Sequence, residues 1–91
     1  MTVEWDPIKA QSNFKKHGID FTEAMTVFYD PLSITYADPD HSLAEYRCII
    51  IGRSNRQRLL MVAHTDRNDR IRLISAREVT RHERKLYEHG I

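Results

Sequence analysis

The chain has 91 residues, 41% apolar and 30% charged, which suits one domain over residues 1–91 around a modest core and excludes a disordered polypeptide. Its single cysteine, Cys48, excludes a disulfide framework and lies in the apolar run CIII, where it reads as a small buried hydrophobe. The formal charge of +1 hides a segregation, because residues 1–46 carry three basic groups against eight acidic ones and residues 47–91 carry eleven against five. Ten of those eleven are arginine, whose planar fork matches phosphate oxygens, so a polyanionic partner is expected beside the simpler reading of a solvated basic surface. No signal peptide, lipidation motif or long apolar run appears, and a cytoplasmic protein with no membrane contact is expected.

In chain order, VEW reads as a short strand, and DPIKAQSNFKKHG as a helix with Asp6 as N-cap, Pro7 at its first position and Gly18 past its end. Ala10, Asn13, Phe14 and His17 share the spacing of an inner face, where an amide and an imidazole would serve buried backbone groups. DFTEAMTVF follows as a short second helix, with Asp20 and Glu23 spaced as a capping box. The period then switches to two over SITYAD, EYRCIIIGRS, RLLMVAHT and RIRLISA, separated by turn formers, which predicts a four-stranded antiparallel meander. Asp38, Asp40 and His41 in DPDH offer oxygen and nitrogen ligands, yet no matching set occurs elsewhere, so turn chemistry is the better reading and no metal is expected.

The last hairpin is the most informative. A turn centred on Asn68 and Asp69 sets Arg67 opposite Arg70 and Thr65 opposite Arg72 on one face, with Leu60, Val62, His64, Ile71, Leu73 and Ser75 on the other. Like charges so placed need acidic partners or an anion. A final helix, projected from residue 76 onward, puts Ala76, Val79, Thr80, Leu86 and Tyr87 on one arc and Arg77, Arg81, Arg84 and Lys85 on another. On this projection Arg77 stands at the helix N-terminus, where a bound phosphate would relieve the repulsion along the stripe. Glu83 falls inside the apolar arc and reads as the partner of an inward-reaching arginine rather than a free base.

WDPIKAQSNFKKHGIDFTEAMTVFYDP, DHSLAEYRCIIIGRS, RLLMVAHTDR and IRLISAREVTRHERKLYE together resemble the BrnT family of toxin-antitoxin toxins over about residues 4 to 88. The resemblance implies an α+β, RelE-like fold in the order β-α-α-β-β-β-β-α, with a short N-terminal strand, two N-terminal helices, the four-stranded antiparallel sheet and one C-terminal helix. It also implies a cofactor-free, metal-independent endoribonuclease that inhibits translation. Neutralisation would come from a cognate BrnA-type antitoxin, and operator DNA would be reached only through that antitoxin. Where such toxins carry a glycine in the turn after IGRS, this chain has NRQR.

The matching reaction is attack of an RNA 2′-hydroxyl on the adjacent phosphate. It calls for a proton acceptor, cations around the phosphate and a donor for the leaving oxygen. Arg67, Arg77 and Arg81 are expected to converge on that phosphate, with His64 as the acid-base candidate, Tyr87 behind it, and Arg70, Arg72, Arg84 and Lys85 binding RNA. Arg56 is expected to lie in a remote turn. Two rivals use the same arginines without cleavage: a nucleic-acid-binding module and an antitoxin-binding co-repressor. No helix-turn-helix or RNP-type motif favours direct sequence reading.

Overall fold

The computed structural model describes residues 1–38 and 46–90. Its elements run β1 (Thr2–Glu4), α1 (Pro7–His17), α2 (Phe21–Ala24), a 3₁₀ segment (Met25–Tyr29), β2 (Ile34–Ala37), β3 (Arg47–Arg53), β4 (Leu59–Arg67), β5 (Arg70–Glu78) and α3 (Arg81–His89). The strands β2 to β5 form the expected antiparallel meander, but the sheet has five strands and is mixed. Thr2, Val3 and Glu4 pair in parallel with Arg70, Ile71 and Arg72, giving the order β1-β5-β4-β3-β2. The sequence period shows a strand at the N-terminus but carries no information on which edge it joins.

Alternation along the strands splits the sheet into two faces. One face buries Ile50, Leu60, Val62, Leu73 and Ala76 against Ile19, Phe21, Ala24 and Val27 from α2 and its flanks. The other buries Ile49, Ile51, Leu59, Met61 and Ala63, with Tyr36, Ile74, Val79 and Tyr87 packed against them, and α3 lies on this side. Gly52 is where β3 runs closest to the 3₁₀ segment, since a Cβ there would sit 3.0 Å from the Val27 carbonyl oxygen and 3.2 Å from Val27 Cβ.

The expected caps of α1 form. Asp6 accepts from the Ile8 N–H at 2.8 Å, Pro7 opens the helix, and Gly18 closes it at φ 73° with its N–H on the Phe14 carbonyl. The inner face is narrower than the spacing predicted, because Phe14 is 55% exposed and points away from the core. Asn13 is buried and does what an inward amide should. Its Nδ2 donates to the Ile19 and Ala76 carbonyls at 3.0 and 2.9 Å, and its Oδ1 accepts from the Ala76 N–H at 3.0 Å. Since β1 pairs only with residues 70–72, Asn13 satisfies the edge of β5 where no strand continues.

Two further local readings change. Asp20 caps α2 through the Glu23 N–H at 2.7 Å, but the Glu23 carboxylate turns away from the cap into a buried network with Arg58 and Ser54. The β4–β5 register follows the predicted hairpin, with Arg67 opposite Arg70 and Thr65 opposite Arg72, until a bulge skips Ile74. Beyond it Ser75 pairs with Ala63 and Ala76 with Val62, so Ala76 rather than Ser75 enters the α1–α2 core.

Candidate functional site at the α3 end of the sheet

Arg77 is not a helical residue. It lies on β5 opposite Met61, on the α3 face, and the helix starts four residues later behind the N-cap Thr80. Thr80 Oγ1 accepts from the Glu83 N–H at 3.2 Å, while Glu83 Oε1 accepts from the Thr80 N–H at 2.9 Å. That capping box competes with extension of the helix back to residue 76, and it wins because both orphan donors are satisfied. The same Glu83 carboxylate takes two parallel bonds from Arg77, Nη1 to Oε1 at 2.8 Å and Nη2 to Oε2 at 2.9 Å. Burial pushes the Glu83 carboxyl up, but Arg77 and the Thr80 cap outweigh it and hold it below its ordinary value. The bonds Arg77 donates to Glu83 outweigh its burial in turn and fix its positive charge. Tyr36 of β2 belongs to the same field, its phenol pushed up first by burial and then by Glu83.

A second cluster joins α3 to the start of β2. Tyr87 donates its hydroxyl to Asp30 Oδ2 at 2.7 Å, and the same oxygen accepts from the Arg53 N–H at 2.7 Å. Asp30 Oδ1 accepts from the Leu32 N–H at 2.9 Å, and the Arg53 guanidinium carbon stands 6.0 Å from the centre of the Tyr87 ring. Burial pushes Asp30 up, but Tyr87 and the two backbone donors hold it below its usual range. Tyr87 is raised by burial and by the Asp30 charge, so it stays protonated at neutral pH with its proton directed at Asp30.

The remaining sequence candidates are distributed differently from expectation. Arg81, Arg84 and Lys85 are exposed on α3. Arg67 sits at the far end of β4, six positions from Met61, which faces Arg77. At about 3.3 Å per residue the two lie roughly 20 Å apart along the sheet, too far for both side chains to hold one phosphate. The compensation that the Arg67–Arg72 hairpin requires comes from β1, since Glu4 binds Arg70 at 3.2 Å and Arg72 at 3.0 Å. His64 occupies the opposite face, 4% exposed, with its ring edge-on to Phe28 at 5.0 Å and neither ring nitrogen hydrogen-bonded. Burial lowers its pKa below the ordinary 6.5 and leaves the ring neutral at pH 7, and it is its position in the opposite core, not its protonation state, that keeps it from serving the α3 face.

Arg56 is also displaced from its expected position. The β3–β4 turn that carries it lies at the same end of the sheet as α3, where Leu60 pairs with Glu78 and the Val79 N–H bonds the Leu59 carbonyl. The DPDH reading lies outside the described residues except for Asp38. Among the described residues, no group of three or more His, Cys, Asp or Glu side chains is arranged to hold a metal ion.

Asp30, Arg53 and Tyr36 escaped the sequence reading. Each acquires its role from a partner far along the chain, as Asp30 does from Tyr87, and no local spacing signals that. Glu83 was visible as an arginine partner, without its second function as a cap.

A family model described as the ribonuclease toxin BrnT of type II toxin-antitoxin systems matches residues 5–83. The chain belongs to the BrnT family. The crystal structure of the Brucella abortus ribonuclease toxin BrnT matches with a TM-score of 0.65 at 25% identity, over 89% of this chain and 99% of that one. No curated protein matches the sequence. The BrnT match covers every residue of both clusters except Tyr87, which follows the matched segment, and the family is one of toxins that act with an antitoxin. No helix among the described residues is long and apolar enough to cross a membrane.

Proposed function

We propose that this BrnT-family chain, acting as a single cytoplasmic domain over residues 1–91, is an endoribonuclease that inhibits translation by cleaving RNA without a metal ion. The reading includes a RelE-like fold, supported by three helices and a five-stranded mixed sheet, and neutralisation by a BrnA-type antitoxin that carries the operator contacts. The observation that carries it is Arg77, a guanidinium held in place by a bidentate carboxylate within the field of the half-buried Tyr36 phenol, in a family of ribonuclease toxins.

In the reaction the 2′-oxygen bonds to phosphorus as its proton leaves to an acceptor. The bond from phosphorus to the 5′-oxygen breaks, that oxygen takes a proton, and a 2′,3′-cyclic phosphate and a 5′-hydroxyl remain. Arg77 and Arg81 would stabilise the charge that builds on the phosphate, with Arg53 at the same end of the sheet. Tyr36 and Tyr87, both held protonated, are candidates on this face for the donor to the 5′-oxygen, and Asp30 orients the Tyr87 hydroxyl. Arg67, Arg70, Arg72, Arg84 and Lys85 would track the rest of the RNA backbone.

Single-turnover cleavage of a model RNA in excess EDTA tests the reading. Cleavage should persist, with fragments ending in cyclic or 3′-phosphate. Loss of cleavage on chelation and its return with a divalent ion would refute the mechanism. Expression alone should arrest bacterial growth, and co-expression of the antitoxin should restore it. Normal growth at confirmed soluble expression would favour the co-repressor reading.

A further inference from the structure

We infer that the cleft between the 3₁₀ segment and the β3–β4 turn is a nucleobase subsite, in which Tyr29 stacks on one unpaired RNA base and the carboxamides of Asn55 and Gln57 read its edge. This deepens the ribonuclease reading and rests on it for the identity of the ligand.

The cleft is lined by Thr26, Tyr29, Asp30, Arg53, Asn55 and Gln57. It shares Asp30 and Arg53 with the Tyr87 cluster, so a base lodged here belongs to a nucleotide next to the proposed reacting phosphate. Tyr29 is 68% exposed, an aromatic face that the core does not use. Aromatic faces beside cations are how proteins hold single-stranded bases, and a carboxamide offers the donor and acceptor that a base edge matches.

The walls of the cleft are rigid where recognition needs them to be. The Asn55 N–H bonds Thr26 Oγ1 at 2.9 Å, the Gln57 N–H bonds the Ser54 carbonyl at 2.9 Å, and the Ser54 N–H bonds the Arg58 carbonyl at 2.8 Å. Ser54 Oγ is anchored on the buried Glu23 carboxylate at 2.6 Å. The turn backbone is thereby pinned to α2, while the Asn55 and Gln57 residues stay exposed. Gln57 itself adopts φ 64°, a conformation natural to glycine and costly for a residue with a Cβ. Its backbone carbonyl also accepts from Arg53 Nη1 at 3.3 Å, a bond that glycine would make equally well. The backbone at this position therefore favours glycine, and a use for the side chain accounts for glutamine. Arg53 in the cleft wall and the exposed Arg56 in the adjoining turn supply positive charge for the flanking phosphates.

Non-cleavable 2′-O-methyl tetranucleotides of each single-base composition, titrated onto the purified protein and followed by NMR, test the inference. Saturable shifts should appear at the Asn55 and Gln57 side-chain amides and the Tyr29 ring, with one composition preferred. Tyr29→Ala should weaken that complex by roughly ten-fold, the scale of one lost base stack. Gln57→Gly should melt at the same temperature or higher and yet lose base preference, a combination that a purely structural glutamine would not give. Shifts confined to the Arg67–Arg72 hairpin, or a cleft that responds to antitoxin but to no oligonucleotide, would overturn the subsite. Wild-type binding in the cleft with no cleavage of any RNA would sink the ribonuclease reading and keep the subsite. Cleavage with unchanged base preference in both variants would do the reverse.

Discussion

Arg77→Ala and Arg67→Ala should behave as different kinds of mutation, although both remove one arginine from the same face of the sheet. Arg77 is a fixed donor beside Tyr36 and α3, so its loss should lower single-turnover cleavage by about 100- to 1000-fold, the range for one preorganised donor to a charged transition state. Its loss also leaves the Glu83 carboxylate, only 14% exposed, without its main partner. Breaking a fully buried pair costs about 3–5 kcal/mol, and since Arg77 is a third exposed and the Thr80 cap remains, about 1–2 kcal/mol is expected here. Arg77→Ala/Glu83→Ala removes the orphaned charge and should recover part of that stability while restoring no cleavage. Arg67, roughly 20 Å along the sheet, should affect only binding, with the slope of log affinity against log salt shallower by about 0.7 and the rate at saturating RNA unchanged. Cleavage should be measured well below the melting temperature, beside circular dichroism. A loss in Arg67→Ala as large as in Arg77→Ala would refute the separation of the two ends, and recovery of cleavage in the double variant would show that Arg77 acts on stability alone.

Arg58→Ala should destabilise by about 2–3 kcal/mol in a denaturant titration, because Glu23 is 3% exposed and loses its bidentate partner, while Ser54 and Arg56 remain and Arg58 is itself about a third exposed. Asn13→Ala should cost about 2–4 kcal/mol by the same assay, since three backbone groups at Ile19 and Ala76 lose a buried partner. The pH profile of stability should have two limbs. The His64 pKa is lowered in the fold, so its contribution is complete above the ordinary 6.5 and declines as pH falls from there to the folded value, whereas His64→Leu should be flat over that window. Glu23 and Glu83 are held below the ordinary 4.5, so their stabilisation is complete above 4.5 and disappears as pH falls through their lower folded values, in wild type and in His64→Leu alike.

Where a structural decision rested on neighbouring residues, the sequence disclosed it. Asp6, Pro7 and Gly18 bound α1 because caps are local chemistry, and the Arg67–Arg70 register follows from a two-residue turn in which Asn68 takes φ 56°. The start of α3 was also written locally, in Thr80-Arg-His-Glu83, but the apparent 3.6-residue spacing from Ala76 obscured it. That capping box places Arg77 on the strand, before the helix, and leaves it out of any helical stripe with Arg81 and Lys85.

The distribution of the arginines between the two ends of the sheet follows from connectivity rather than from any motif. In a meander, the turn after β3 and the exit from β5 lie at one end, and the β4–β5 hairpin lies at the other. Arg53, Arg56 and Arg77 therefore gather with α3, while Arg67, Arg70 and Arg72 gather with Glu4, whatever their order in the chain suggests. What no pattern could reveal is which side chains close on one another across that geometry. Asp30 meets Tyr87 because the 3₁₀ segment delivers it to the edge where α3 ends its crossing, and Ser54 meets Glu23 because Gly52 lets β3 approach Val27. Such meetings depend on packing, and a bulky residue at position 52, crowding the Val27 carbonyl that receives the Asp30 N–H, should disturb the turn, the Glu23 network and the Tyr29 cleft together.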